Sequence, residues 1–94
     1  MKKLILILSV LSLGLASFAD NEKYYNQNLS GQDFSNRSLK YSSWLGSILT
    51  NANFTNADLT GTYFDDAILT NANFTDALVA RVRFDGVKWG RTSH

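Results

Sequence analysis

The chain has no cysteine and no proline, and its one histidine, His94, is the last residue. Without cysteine there is no disulfide, no thiolate metal cage and no lipid-bearing cysteine, so an exported form rests on packing and backbone pairing. Without proline every residue keeps an amide donor, which suits a backbone that pairs along its whole length. A lone terminal histidine supplies no Ser/His/Asp set, and metal sites need several convergent ligands. A glycine-rich phosphate loop is also missing. Excess charge of either sign is scarce: nine Lys/Arg stand against eight Asp/Glu, a net +1. Such a balance gives no strong field to steer nucleic acid or an anionic surface, and no nucleic-acid partner is expected. Ninety-four residues bound the chain to one small domain.

The long apolar run is confined to the start. Residues 1–19, MKKLILILSVLSLGLASFA, carry two lysines, an apolar stretch, and the small residues Ser17 and Ala19 before Asp20. That is the pattern of a secretory signal peptide cut after Ala19. The stretch Leu4–Phe18 is shorter than the about 20 residues a membrane-spanning helix needs, so no stable anchor is expected after cleavage. Removing Lys2 and Lys3 leaves seven basic and eight acidic residues, a net −1. The expected location is the bacterial periplasm or the medium.

What fills the rest is a period of five. From Leu29 the apolar series runs Phe34, Leu39, Trp44, Leu49, Phe54, Leu59, Phe64, Leu69, Phe74, Val79, Phe84 and Trp89, with no insertion. Helices and strands have side-chain periods of about 3.6 and 2, so neither accounts for five. A fixed short period reads as a solenoid, in which each repeat buries its apolar residue against its neighbours. A second period is nested in the first: residues 49–55 and 69–75 both read LTNANFT. Four pentads per coil then sort the centres into four columns. The first is Leu29/Leu49/Leu69/Trp89 and the second Phe34/Phe54/Phe74. The third is Leu39/Leu59/Val79 and the fourth Trp44/Phe64/Phe84. The residue two before each centre is Ala at 52, 57, 67, 72 and 77, and Thr or Val at 62, 82 and 87, because a second inward position has little room in a densely packed interior. The other positions are rich in Asn, Asp, Thr, Ser and Gly, the residues of tight turns.

Ala-Asn-Phe-Thr-Asn, Ala-Asp-Leu-Thr-Gly and Ala-Asn-Phe-Thr-Asp resemble the A(D/N)LXX unit of the pentapeptide-repeat family, and the resemblance covers nearly all of the chain after residue 19. It implies an all-β fold, a right-handed quadrilateral parallel β-helix of about three coils after the signal peptide. The central Leu/Phe and the Ala two before it then point inward. The organisation expected is signal peptide 1–19, an N-terminal cap or tail 20–26, β-helix 27–91 and tail 92–94. The match is closest from Ala52 to Ala77. Gln27, Gln32 and Arg37 occupy the small inward position of the first coil, so that coil is expected to be distorted or bulged; Val82 and Val87 depart from it at the other end. Tyr24 and Tyr25 either fold over the N-terminal end or fray.

Two surfaces are candidates for contact. Ile48 and Ile68 stack on successive coils with Leu45 and Tyr63 near them, a small apolar stripe. Phe74, Val79, Phe84 and Trp89 form the last ring, with Thr92, Ser93 and His94 after it. Pairing of that ring with a second copy would cover apolar area and open backbone together; the resemblance also implies such end-to-end dimers. Asp65, Asp66 and Asp85 have the oxygen ligands Ca²⁺ takes, but pairing with Arg81 and Arg83 is the simpler expectation, with no cofactor. Sequons occur at Asn28, Asn36, Asn53 and Asn73 as a by-product of a repeat built from Asn, Leu/Phe and Thr. With no reactive constellation, the function expected is a non-catalytic scaffold or protein-interaction module. The alternatives are a DNA-mimicking gyrase inhibitor, which the resemblance allows but the near-neutral charge and export signal disfavour, and an ice or crystal-surface binder using Thr50/Thr70 and Thr55/Thr75.

Overall fold

Each pentad builds its own corner. The residue two after the centre carries a positive φ, 55–74°, at fourteen successive positions from Asn21 to Gly86. Most are Asn, Asp or Gly, which tolerate left-handed backbone. Tyr41 and Arg81 are the bulky exceptions. Tyr41 lies across Gly61 of the next coil, where a Cβ would come within 2.5 Å of its ring. In most pentads the corner closes through an amide donating to the centre's carbonyl three residues back, as Ala52 to Leu49 and Ala57 to Phe54, both 3.0 Å. A β-turn with positive φ at its third residue selects Gly or Asn there.

A side-chain bond supports the corner. Asn53 Oδ1 accepts from the Thr55 amide at 3.0 Å and hydroxyl at 2.6 Å, and Asn73 accepts likewise from Thr75. Asp33 with Ser35, Asp58 with Thr60 and Asn28 with Ser30 repeat the arrangement. These are turns in which a short polar side chain takes the place of a backbone carbonyl. The same geometry accounts for the Asn-X-Ser/Thr spelling at 28, 53 and 73.

The computed structural model describes residues 18–90. Most of the expected signal peptide (1–17) and the tail 92–94 with His94 lie outside the described residues. Ten parallel bridges join residues twenty apart, from Lys23–Ser43 to Ile68–Lys88, so four pentads complete a coil. Each is a single-residue bridge, and among the described residues no continuous strand forms, because every pentad gives two of its residues to a turn. Between coils the centre's amide donates forward, as Phe34 to the Asn53 carbonyl at 2.7 Å, and the residue before it donates back, as Asn53 to the Gln32 carbonyl at 2.9 Å.

The centres form one core, with Phe34, Leu39, Trp44, Leu49, Phe54, Leu59 and Phe64 fully buried. The second column stacks nearly parallel: Phe34–Phe54 at 4.9 Å and 13°, Phe54–Phe74 at 5.2 Å and 5°. The fourth does the same through Trp44, Phe64 and Phe84. Across the coil these two columns meet edge to face, Phe34–Trp44 at 5.0 Å and 74°, Phe54–Phe64 at 5.6 Å and 76°. Offset stacking and edge-to-face contact are the arrangements the ring quadrupole favours.

The first coil is neither distorted nor bulged. Asn28–Ile48, Asp33–Asn53 and Ser38–Asp58 pair in register, and the left-handed corners continue through Gly31, Asn36 and Tyr41. Gln27, Gln32 and Arg37 are half-buried there, since an end coil has a neighbour on one side only. The bridges start at Lys23, inside segment 20–26, and the Asn21 amide already donates to the Lys40 carbonyl at 2.8 Å. Tyr24 of that segment is 4% exposed and stacks on Trp44 at 4.4 Å, adding a member to the fourth column, whereas Tyr25 is exposed.

Candidate interaction surface

The two ends of the solenoid differ in how they are covered. At the N-terminal end Phe18 lies over the first ring, edge to face with Phe34 at 4.6 Å and 5.6 Å from Tyr24. The Arg37 guanidinium sits 5.7 Å from the Phe18 ring centre, a cation–π contact. The Ala19 amide donates to the Tyr24 hydroxyl at 3.1 Å, and Asp20 Oδ1 accepts from the Ser38 hydroxyl and the Lys40 amide. Burial pushes the Tyr24 hydroxyl up to about 12, against a smaller lowering by the Ala19 amide.

At the other end the last ring is open by comparison. Phe54 and Phe64 have no exposure, whereas one coil later Phe74 and Phe84 are half-buried and Val79 and Trp89 are 45% and 47% exposed. Trp89 leans on both aromatic columns, 5.2 Å from Phe84 and 6.4 Å from Phe74, without sealing the ring. Beyond this ring no further coil of described residues pairs with the Phe74, Val79 and Phe84 amides.

The apolar stripe is split by a corner. Ile48 and Ile68 pair as a bridge and are half-buried. Leu45 sits in the preceding turn, and Tyr63 belongs to the adjoining face, between Ser43 and Arg83. Arg83 lies 5.0 Å over the Tyr63 ring and covers part of it. Sequence reasoning missed the exposed Tyr41 and Leu78, which stand on other columns. Arg83 also ties two of the three carboxylates singled out above: its Nη2 donates to Asp65 Oδ2 at 2.8 Å and Asp85 Oδ2 at 3.2 Å. Arg81 takes no part in these pairs. Among the described residues no group of acidic or histidine side chains is arranged to hold a metal ion, although Asp65 Oδ1 is enclosed without a hydrogen-bond partner.

Three of the small inward positions carry buried hydroxyls in place of Ala, Thr62 as the spacing implies and Ser42 and Ser47 besides. Ser42, Ser47 and Thr62 occupy the small inward position with no exposure. Ser42 and Thr62 donate to the Leu39 carbonyl at 2.7 and 2.8 Å, and Ser42 Oγ accepts from Trp44 Nε1 at 3.0 Å. Ser47 accepts from the Gln27 amide and donates to the Tyr24 carbonyl. For Ser42 the signal was present in the sequence as a serine two residues before a Trp centre.

The family model described as pentapeptide repeats matches the chain with eight copies, over residues 28–66 and 47–86. A comparison with curated proteins finds no match. Among solved structures, a pentapeptide repeat protein from the Arabidopsis thaliana thylakoid lumen aligns with a TM-score of 0.49 and 28% identity, over 85% of this chain and 61% of that one. A pentapeptide repeat protein from the cyanobacterium Cyanothece 51142 aligns with a TM-score of 0.41 and 26% identity, over 66% of this chain and 46% of that one. The chain thus spans less than two thirds of the length of either protein. The two matched stretches run together from 28 to 86, more than half of the sequence and the same residues that carry the left-handed corners and twenty-residue bridges; the chain belongs to the pentapeptide repeat family.

Proposed function

We propose that the protein is an exported, non-catalytic interaction module that pairs with a second copy of itself through its last coil. As a pentapeptide repeat protein it is a right-handed β-helix solenoid, in a family of generally non-catalytic members. The observation that carries the pairing is the contrast in exposure between Phe54 and Phe64, at zero, and Val79 and Trp89, at 45% and 47% one ring further on. A ring of large apolar side chains whose amides pair with no described residue is an edge that proteins protect. Placing it against its own copy about a two-fold axis satisfies both needs in one closed interface. Export is supported by the lysine-flanked apolar run of residues 1–19. The stripe of Ile48, Ile68, Leu45 and Tyr63 is the second candidate surface, for a different protein partner.

Trp89→Asp tests the pairing. Wild-type protein should scatter light as a dimer at high micromolar concentration and the variant as a monomer. A monomeric wild type would overturn the dimer, and a variant that stays dimeric would move the interface elsewhere.

A further inference from the structure

We infer that the leader is cut after Ala16 and not after Ala19, so that the exported chain begins at Ser17 and keeps Phe18 as the cover of its first coil. The inference rests on the reading of the protein as exported. The sequence offers two sites of the same quality. Ser17-Phe18-Ala19 and Gly14-Leu15-Ala16 both place small residues at the first and third positions before the cut. A cut after Ala16 still leaves a leader within the usual range of about 15–30 residues.

The packing separates the two. Phe18 is 9% exposed, set edge to face on Phe34 at 4.6 Å, with the Arg37 guanidinium 5.7 Å from its centre. The Ala19 amide gives the buried Tyr24 hydroxyl its partner at 3.1 Å. Both contacts lie upstream of the Ala19–Asp20 bond. A cut there removes the ring and the donor together, and leaves Phe34 and Tyr24, now 0% and 4% exposed, at an uncovered end. A cut after Ala16 keeps both. Solenoid ends need a cover to stay soluble and paired. Arg37 also finds its place on this account: the inward position that is Ala in the middle coils holds at the end a cation that lies over the covering ring.

The full chain is produced in a bacterium with two membranes, recovered folded from the envelope fraction, and sequenced from its N-terminus. A start of Ser-Phe-Ala-Asp is expected. A start at Asp20 overturns this inference and leaves export standing; a start at Met1 overturns both. Ala19→Leu should be processed as the wild type is, because the residue before a cut must be small only at the true site. Loss of processing in that variant overturns the inference. Finally, chains beginning at Ser17 and at Asp20 are compared in thermal unfolding. The longer should melt about 4–8 °C higher, a shift of the size expected when a domain of this length loses one good contact set. Equal melting temperatures would show that Phe18 covers nothing.

Discussion

Trp44 buries an indole N–H in a column where Tyr24, Phe64 and Phe84 stand on other coils, and a buried indole needs an acceptor. Ser42 provides it and passes its own hydrogen to the Leu39 carbonyl. Ser42→Ala should therefore cost about 1–3 kcal/mol in chemical denaturation, the penalty for leaving a buried donor unpaired. In a Trp44→Phe background the same change should cost much less; equal costs in both backgrounds would dissociate the pair. Tyr24 makes a second prediction at this scale. Its hydroxyl is raised from 10.0 to about 12, chiefly by burial. Between those values the folded chain holds a proton that the unfolded chain has released, so stability falls as pH rises through that window. The denaturation midpoint should drop from pH 10 towards pH 12, and Tyr24→Phe should flatten the drop. A midpoint as pH-sensitive in the variant as in the wild type would assign the loss to other groups.

The element of this fold is the pentad, and its five positions do unequal work. The centre is the core, so Phe54→Ala, between Phe34 and Phe74 in the stack, should cost about 3–5 kcal/mol as a large-to-small core change. Asn56, two residues on, is exposed at a corner with φ of 61°. Asn56→Ala should cost about 1 kcal/mol, the preference of Ala against left-handed backbone. Urea denaturation of the two variants orders them, and the reverse order would mean that the five-residue register is displaced. The corner bonds of Asp33 and Asp58 add an acid edge to the same element. The Ser35 hydroxyl holds the Asp33 carboxyl below its ordinary 3.8, and the Thr60 hydroxyl does so for Asp58. Their share of stability is present above that value and fades as pH falls below it.

For the whole molecule the ends decide behaviour, since the middle coils satisfy one another. If the last ring pairs with a second copy, unfolding is coupled to dissociation, and the melting temperature rises with protein concentration. Trp89→Asp should remove that dependence along with the dimer. A wild-type melting temperature independent of concentration would show a ring that faces solvent. The first ring is covered within the chain by Phe18, and the proposed cut after Ala16 would keep that cover in place. Among the described residues the two ends thus differ, one closed by Phe18 and the other with Val79 and Trp89 exposed and Phe74 and Phe84 half-buried.

From the sequence alone came the corner spacing, the twenty-residue coil and the four columns. The reason is that a solenoid repeats its local rules: a centre every five residues, with turn formers between centres, recurs in every coil. The parallel bridges and the family match carry that reading. The tertiary structure alone decided how the two aromatic columns meet, edge to face across the coil, because that contact joins opposite faces with no shared pattern in sequence. It also decided that the first coil stays in register despite Gln27, Gln32 and Arg37, since an end coil has open space where a middle coil has a neighbour. It split Ile48 and Ile68 from Leu45 and Tyr63 across a corner, which a linear spacing does not show. Phe18 is the plainest case. In sequence it closes the apolar run read as a leader, and only the rings of Phe34 and Tyr24 packed against it make it part of the core.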